Sequence, residues 1–235
     1  MKINNKKIDQ LEFLLQELVL YLFPYLNSKS VIYCYKNVEY EKGDICIKVG
    51  SKIKYISIKM GKRNSVHCES IKKFVKFLET INISKTIIKE ILKFQYADGT
   101  LNGTGKHRLS TAEYKNENKE SIDIINKELN RDYVIKSVVN RFIVQGTQHQ
   151  THKIDLLLYG TPDDFFFITP KEIHEYMQSK INVQSSTIHL ANLTLQPLSR
   201  VLNYKENMEY MRNWIQIKWY NLEDNVIEIM NNRYL

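Results

Sequence analysis

The chain has 235 residues, enough for one large or two small folded units, and its 43% hydrophobic content with four prolines describes a globule with a real core. Lysine and arginine number 34 against 26 aspartate and glutamate, a formal net charge of +8, so the surface field favours a polyanionic partner, nucleic acid ahead of a membrane. Residues 13–26 are the most apolar stretch, but Gln16, Glu17 and Pro24 interrupt them and they are too short to cross a bilayer; no secretory leader pattern is visible either, which makes a cytoplasmic setting the expectation.

In chain order, residues 7–26 carry apolar side chains at Leu11, Leu14, Leu15, Leu18, Val19 and Leu22, the period of a helix that Pro24 closes or bends. A strand is expected over residues 31–35. A hairpin follows, with Gly43-Asp44-Ile45-Cys46-Ile47-Lys48-Val49 and Lys54-Tyr55-Ile56-Ser57-Ile58-Lys59-Met60 as its arms and Gly50-Ser51-Lys52 as its turn. Ile71, Phe74, Val75 and Leu78 mark an amphipathic helix, and Ser84 caps another through Ile87, Ile88, Ile91 and Leu92. The order to this point is α-β-β-β-α-α.

Residues 97–118 are polar and glycine-rich, and a long, mobile loop is expected there. Helical spacing resumes over 121–144 through Ile124, Ile125, Val134, Val138 and Phe142. A second hairpin has the arms 154–159 and 165–168, turned by Gly160-Thr161-Pro162-Asp163-Asp164, and leads into a short helix over 171–180. Strands are expected near 187–195 and 214–220, with a closing helix from Asp224. The whole reads as an α/β protein with a mixed central sheet flanked by helices. Residues 1–96 form one half of the core, 97–118 the polar loop, and 119–235 a C-terminal half packed on it as one domain.

Cys34, Cys46 and Cys68 are odd in number and lack paired metal spacing, so buried thiols are expected rather than disulfides. His149-Gln150-Thr151-His152 has no third ligand at suitable spacing, and a polar loop that touches DNA suits it better than zinc. Gly103-Thr104-Gly105-Lys106 lacks the full phosphate-loop pattern, with Thr100 at its start and His107 after the lysine, and ATP binding is rejected.

The chemistry concentrates in the first hairpin. Phosphodiester hydrolysis needs positive charge to offset the developing pentacovalent phosphate and a water that is nucleophilic at neutral pH; Mg²⁺ on hard oxygen ligands supplies both. Asp44 is the obvious ligand and the carbonyl of Ile58 a second. Lys59 orients or deprotonates the water and steadies phosphate charge. Lys62, Arg63 and the amides around Asn64 and Ser65 are placed to grip neighbouring phosphates. The plain alternative is an exposed hairpin with solvated charges.

On these residues the chain resembles the PD-(D/E)XK nuclease superfamily, with Gly43-Asp44 in place of Pro-Asp and Ser57-Ile58-Lys59 in place of acid-x-Lys. The resemblance is nearest to small type II restriction endonucleases, spans residues 7–80 and more loosely 150–180, and implies a restriction-endonuclease-like core with an additional C-terminal hairpin and helices. It implies a Mg²⁺-dependent endonuclease acting on double-stranded DNA, possible as a homodimer, with Asp44, Ser57 and Lys59 at the catalytic centre. Ser57 departs from the pattern: one acid is missing. Glu69 is the preferred substitute as catalytic group and metal ligand, with Glu12, Glu17, Glu39 and Glu41 also available; loss of cleavage, leaving a DNA-binding regulator, is the alternative. An RNA substrate is not excluded by charge alone. Asp155 with Gln216 and Lys218 repeats the acid and neutral-x-lysine pattern with 60 residues between Asp155 and Gln216, and would make the C-terminal half the nuclease. Base and backbone contacts are expected from Lys106, His107 and Arg108, from Gln148, His149, Gln150 and His152, and from Gln196, Ser199 and Arg200.

Overall fold

The computed structural model describes residues 18–27, 29–37, 42–60, 65–146, 152–161, 164–181, 187–198 and 210–234. They form two compact units, each with its own sheet. The first comprises Met1–Arg63, Val144–Ile173 and Asn221–Leu235, the second Asn64–Ile143 and His174–Tyr220, so both draw on both halves of the sequence.

The first unit is built on a five-stranded sheet of order β1-β2-β3-β5-β6. Strands β1 (Ile32–Lys36), β2 (Ile45–Val49) and β3 (Lys52–Lys59) make the expected antiparallel meander. Strand β5 (Leu156–Thr161) then runs parallel to β3, pairing Ile56 with Leu156 and Lys59 with Tyr159, and β6 (Asp164–Ile168) closes the second hairpin. A parallel neighbour requires a long crossover connection, and here residues 60–155 supply it.

Period-two alternation sorts the sheet into two faces. Ile47, Ile56 and Leu156, with Ile45, Val49, Ile58, Leu158 and Phe167 beside them, pack against Leu18, Val19 and Phe23 of the first helix, α1, described as helical over residues 18–22. Each fully buried aliphatic side chain in that layer contributes about 1.5–3 kcal/mol. The opposite face carries Ser57 and Lys59, with Leu157 and Tyr159 opposite them on β5. Helix α8 (Leu222–Asn231) packs on β5 and β6, where the Tyr159 hydroxyl donates to Glu223 at 3.0 Å.

The second unit holds a four-stranded antiparallel sheet of order β4-β9-β8-β7, formed by β4 (Ser65–Ser70), β7 (His189–Leu190), β8 (Leu193–Pro197) and β9 (Trp214–Trp219). Helices α2 (Ile71–Thr80) and α3 (Lys85–Tyr96) pack on it; α3 is capped by Ser84 as expected, and α2 by Ser70. Helices α5 (Lys119–Leu129) and α6 (Asp132–Val139) follow, and a π-helical turn, Asn140–Gln145, ends the run. Helix α7 (Pro170–Ser179) follows the second hairpin, as expected.

Several expectations are corrected. Strand β4 was not legible, because a bulge between Ser65 and His67 breaks its alternation and one of its inward residues is Glu69. Residues 97–118 are not a structureless loop. Asp98 accepts from the Thr100 N–H and hydroxyl and from the Gly105 N–H, and Arg212 donates to the carbonyls of Gly103 and Gly105. Helix α4 (Thr111–Glu117) follows, with a complete capping box between Ser110 and Glu113. A Cβ on Gly103 would sit 2.6 Å from the Tyr96 ring, and its φ of +79° lies where glycine is favoured. Of the cysteines only Cys46 is buried; Cys34 and Cys68 are exposed, and all three are free thiols. The Asp155 alternative fails on topology: Gln216 and Lys218 lie on β9, which pairs with β4 and β8 and belongs to the other sheet. Asp155 instead receives Lys54 Nζ at 2.7 Å and the Tyr55 N–H at 2.9 Å, fastening the start of β5 to β3.

Candidate active site

Asp44 stands just ahead of β2, where its backbone is held from both sides. Its N–H donates to the Ile56 carbonyl at 2.8 Å and its carbonyl accepts from the Asn37 N–H at 3.0 Å. Gly43 is buried before it: a Cβ there would lie 3.1 Å from Tyr55 Cβ, and its carbonyl accepts from Asn37 Nδ2 at 3.2 Å. The absence of a side chain lets residues 43 and 44 lie flat on β3, which delivers the Asp44 carboxylate to the strand carrying Ser57, Ile58 and Lys59.

Asp44 Oδ2 accepts from the Ile58 N–H at 2.6 Å and from Ser57 Oγ at 3.2 Å. The carboxylate itself is exposed, while Ser57 is fully buried beneath it. On a strand the N–H and C=O of one residue point to the same side, so the Ile58 carbonyl faces the Asp44 side as well. Lys59 shares the face of Ser57, two residues on, and is partly buried. The hairpin thus brings Asp44, Ser57, Ile58 and Lys59 together as their spacing predicts.

A fourth group was not anticipated. Lys42 is partly buried beside this set, and its ammonium is pushed down from its ordinary value to about 7, by burial first and then by the positive charge of Lys59, against a smaller opposing pull from Asp44. The sequence signal was only a lysine two residues before the aspartate, which in an exposed hairpin means nothing.

Among the described residues no three His, Cys, Asp or Glu side chains gather into a metal cluster. The donor set at Asp44 is therefore one carboxylate and one backbone carbonyl, both hard oxygens at a solvent-facing edge. Mg²⁺ is commonly held by one or two carboxylates while keeping several waters and taking substrate phosphate oxygens, and these residues fit that pattern. Ser57 does not replace the missing acid, since its hydroxyl is turned onto Asp44.

Glu69 is occupied elsewhere. It lies in the second unit, 3% exposed, where Arg141 Nη2 donates to its Oε2 at 2.8 Å and His67 Nε2 lies 3.6 Å from the same oxygen. Arg141 also stacks over Phe77, at 4.7 Å from the ring centre. This is a structural ion pair in an aromatic pocket, not a carboxylate awaiting a cation.

The DNA-contact candidates divide in the same way. Lys106 and His107 are exposed on the ordered 98–109 loop. Arg108 is turned inward: its guanidinium donates to the carbonyls of Tyr96 at 2.8 Å and Gln95 at 2.6 Å, and burial lowers its pKa to about 10. Gln196 donates to the Tyr220 hydroxyl at 2.6 Å, His152 stacks on Tyr55 with ring centres 4.5 Å apart, and Ser65 begins β4 opposite Lys218. Lys62, Arg63, Asn64, Gln148, His149, Gln150, Ser199 and Arg200 lie outside the described residues, as do Glu12, Glu17, Glu39 and Glu41.

Comparison with solved structures finds the restriction endonuclease MspI in complex with its cognate DNA, at a TM-score of 0.54 and 13% identity, covering 87% of this chain and 76% of that one. The fold is restriction-endonuclease-like. At that identity the likeness speaks for architecture alone. No protein-family profile matches the chain, and no curated protein sequence matches it. Among the described residues no helix is long and apolar enough to cross a membrane.

Proposed function

We propose that the chain is a metal-dependent endodeoxyribonuclease of the type II restriction kind, hydrolysing phosphodiester bonds in double-stranded DNA. One observation carries the reading: on a restriction-endonuclease-like sheet, Asp44 is docked by hydrogen bonds onto the strand segment Ser57-Ile58-Lys59. Asp44 and the Ile58 carbonyl would hold Mg²⁺, which when bound supplies charge neutralisation and an acidified water. Lys59 meets the scissile phosphate, orients the attacking water and offsets the negative charge that grows as the bond forms. The Ile58 N–H and the Ser57 hydroxyl fix the carboxylate so that little reorganisation is needed when substrate arrives. The net charge of +8 draws the duplex in, and exposed Lys106 and His107 are available for backbone contacts. Symmetric cutting of a palindrome calls for a homodimer or two monomers acting in turn.

The test is incubation of supercoiled plasmid with the protein and Mg²⁺ or Mn²⁺. Discrete linear fragments are expected, and none from Lys59→Ala, which should still bind the duplex. Wild-type cutting by Lys59→Ala would overturn the assignment. A second reading, a DNA-binding regulator without cleavage, is favoured by Ser57 alone. It predicts a salt-sensitive gel shift and intact plasmid under every metal condition.

A further inference from the structure

The sheet of the second unit has one side covered by helices and one that reaches solvent. Helices α2, α3 and α5 pack on the side of Ile215, Ile217 and Trp219 of β9 and Leu193 and Leu195 of β8, all buried. Glu69 belongs to that covered side, where it pairs with Ile215 in register and with Arg141 in charge. By alternation the other side carries Cys68 of β4, Gln196 of β8, and Trp214, Gln216 and Lys218 of β9, with Tyr220 continuing the row just past the strand. Cys68 is exposed there, Trp214 is 36% exposed and Tyr220 51%.

An antiparallel sheet commonly leaves one polar face in water, but this face is specialised. Among its described residues there is no carboxylate, and its charge is Lys218. Gln196 and Gln216 are partners in register, which sets their Cβ atoms about 5 Å apart. Tyr220 holds two members of the set: its hydroxyl accepts from Gln196 Nε2 at 2.6 Å, and its ring centre lies 5.7 Å from Lys218 Nζ. At the Trp214 end, Arg212 donates to the carbonyls of Gly103 and Gly105 and so docks the loop that bears exposed Lys106 and His107.

Paired amides between basic groups, with no acid among them, suit a polyanion whose interior presents hydrogen-bonding edges. We propose that this face is a base-reading surface for double-stranded DNA, with Gln196 and Gln216 on base edges and Lys218 on a phosphate. The choice of duplex rests on the endonuclease reading. A glutamine amide offers a donor beside an acceptor, the complement of adenine N7 and N6 in the major groove, which also admits a two-stranded ribbon such as β8 with β9. Base pairs stack about 3.4 Å apart, so two amides side by side meet neighbouring positions.

The test measures binding of the full chain, with Ca²⁺ in place of Mg²⁺, to a duplex library randomised over one helical turn, and sequences what is bound. Gln216→Met keeps the length of the side chain without its hydrogen bonds. It should weaken binding to the preferred duplex about tenfold and relax the preference at one base pair, with the salt dependence unchanged. Gln196→Met should act in the same way at the adjacent base pair, a pairing that no folding defect produces. Lys218→Ala should weaken binding to all sequences alike and lower the salt slope by about 1, and Lys218→Arg should restore it. Unchanged preference in Gln216→Met together with an unchanged slope in Lys218→Ala overturns the proposal, as does tighter binding of single strands than of duplex. Selective binding that depends on these residues, without any cleavage in Mg²⁺, removes the endonuclease reading and keeps the interface; cleavage with selectivity untouched by the variants does the reverse.

Discussion

Replacing Asp44 in two different ways separates what the carboxylate does for the fold from what it does for chemistry. Its Oδ2 receives the Ile58 N–H at 2.6 Å and Ser57 Oγ at 3.2 Å, and Ser57 is completely buried. Asp44→Ala removes the one oxygen that accepts both bonds and strands a buried hydroxyl. Because the carboxylate is exposed, each bond is taken at about 1 kcal/mol, below the usual worth of a bond to a charged group, giving a loss of about 2 kcal/mol in all. For a chain of this size that is a melting point lower by roughly 4–8 °C. Asp44→Asn keeps an oxygen in the same place, so both bonds persist without charge assistance and the expected loss is under about 1 kcal/mol. In chemistry the two variants should be alike, since an amide is a far poorer ligand for a hard cation, and cleavage should fall by at least about 1000-fold in each. The assay is single-turnover cutting of plasmid in Mg²⁺ and Mn²⁺ beside thermal unfolding of the same samples. Near wild-type cutting by Asp44→Asn removes Asp44 from the chemistry. An Asp44→Ala protein that melts with the wild type shows that the hydrogen-bonded cradle is not as described.

Two further outcomes follow from the second unit. Glu69→Ala should cost about 3 kcal/mol in urea unfolding, because it leaves the Arg141 guanidinium in its aromatic pocket without a counter-charge; a Glu69→Gln protein with unchanged stability but no cleavage would return Glu69 to the metal. Asp98 is pushed up by burial, but the hydrogen bonds from Thr100 and Gly105 and the nearby charge of Arg212 outweigh this and lower its pKa below the ordinary 3.8. Its contribution is complete above that ordinary value and is lost as pH falls through the depressed one, so Asp98→Asn should lower stability at neutral pH and flatten its decline below about pH 4. Equal pH profiles for the two proteins would show that Asp98 does not tie the loop.

Local pattern determined the elements that carry the candidate site. The Ile and Val alternation of residues 45–49 and 52–59, with a glycine turn, was enough to place Asp44 across from Ser57 and Lys59, because a tight hairpin fixes its own register. The helix cap at Ser84 was equally legible, being a contact within three residues. What escaped the sequence depended on partners far along the chain. Glu69 read as a spare carboxylate until Arg141, 72 residues later, closed on it, and the polar 97–118 segment read as mobile until Arg212 bound the carbonyls of Gly103 and Gly105. The separation of β3 and β9 into different sheets, which removed Asp155, Gln216 and Lys218 as a second site, is likewise a matter of long-range pairing. Charge and burial made the same distinction at Lys42: its number in the chain says only that it precedes Asp44, whereas its lowered pKa is produced by burial and the nearness of Lys59. Short-range sterics and hydrogen bonding are written in neighbouring residues; desolvation and the pairing of distant charges exist only once the chain has folded.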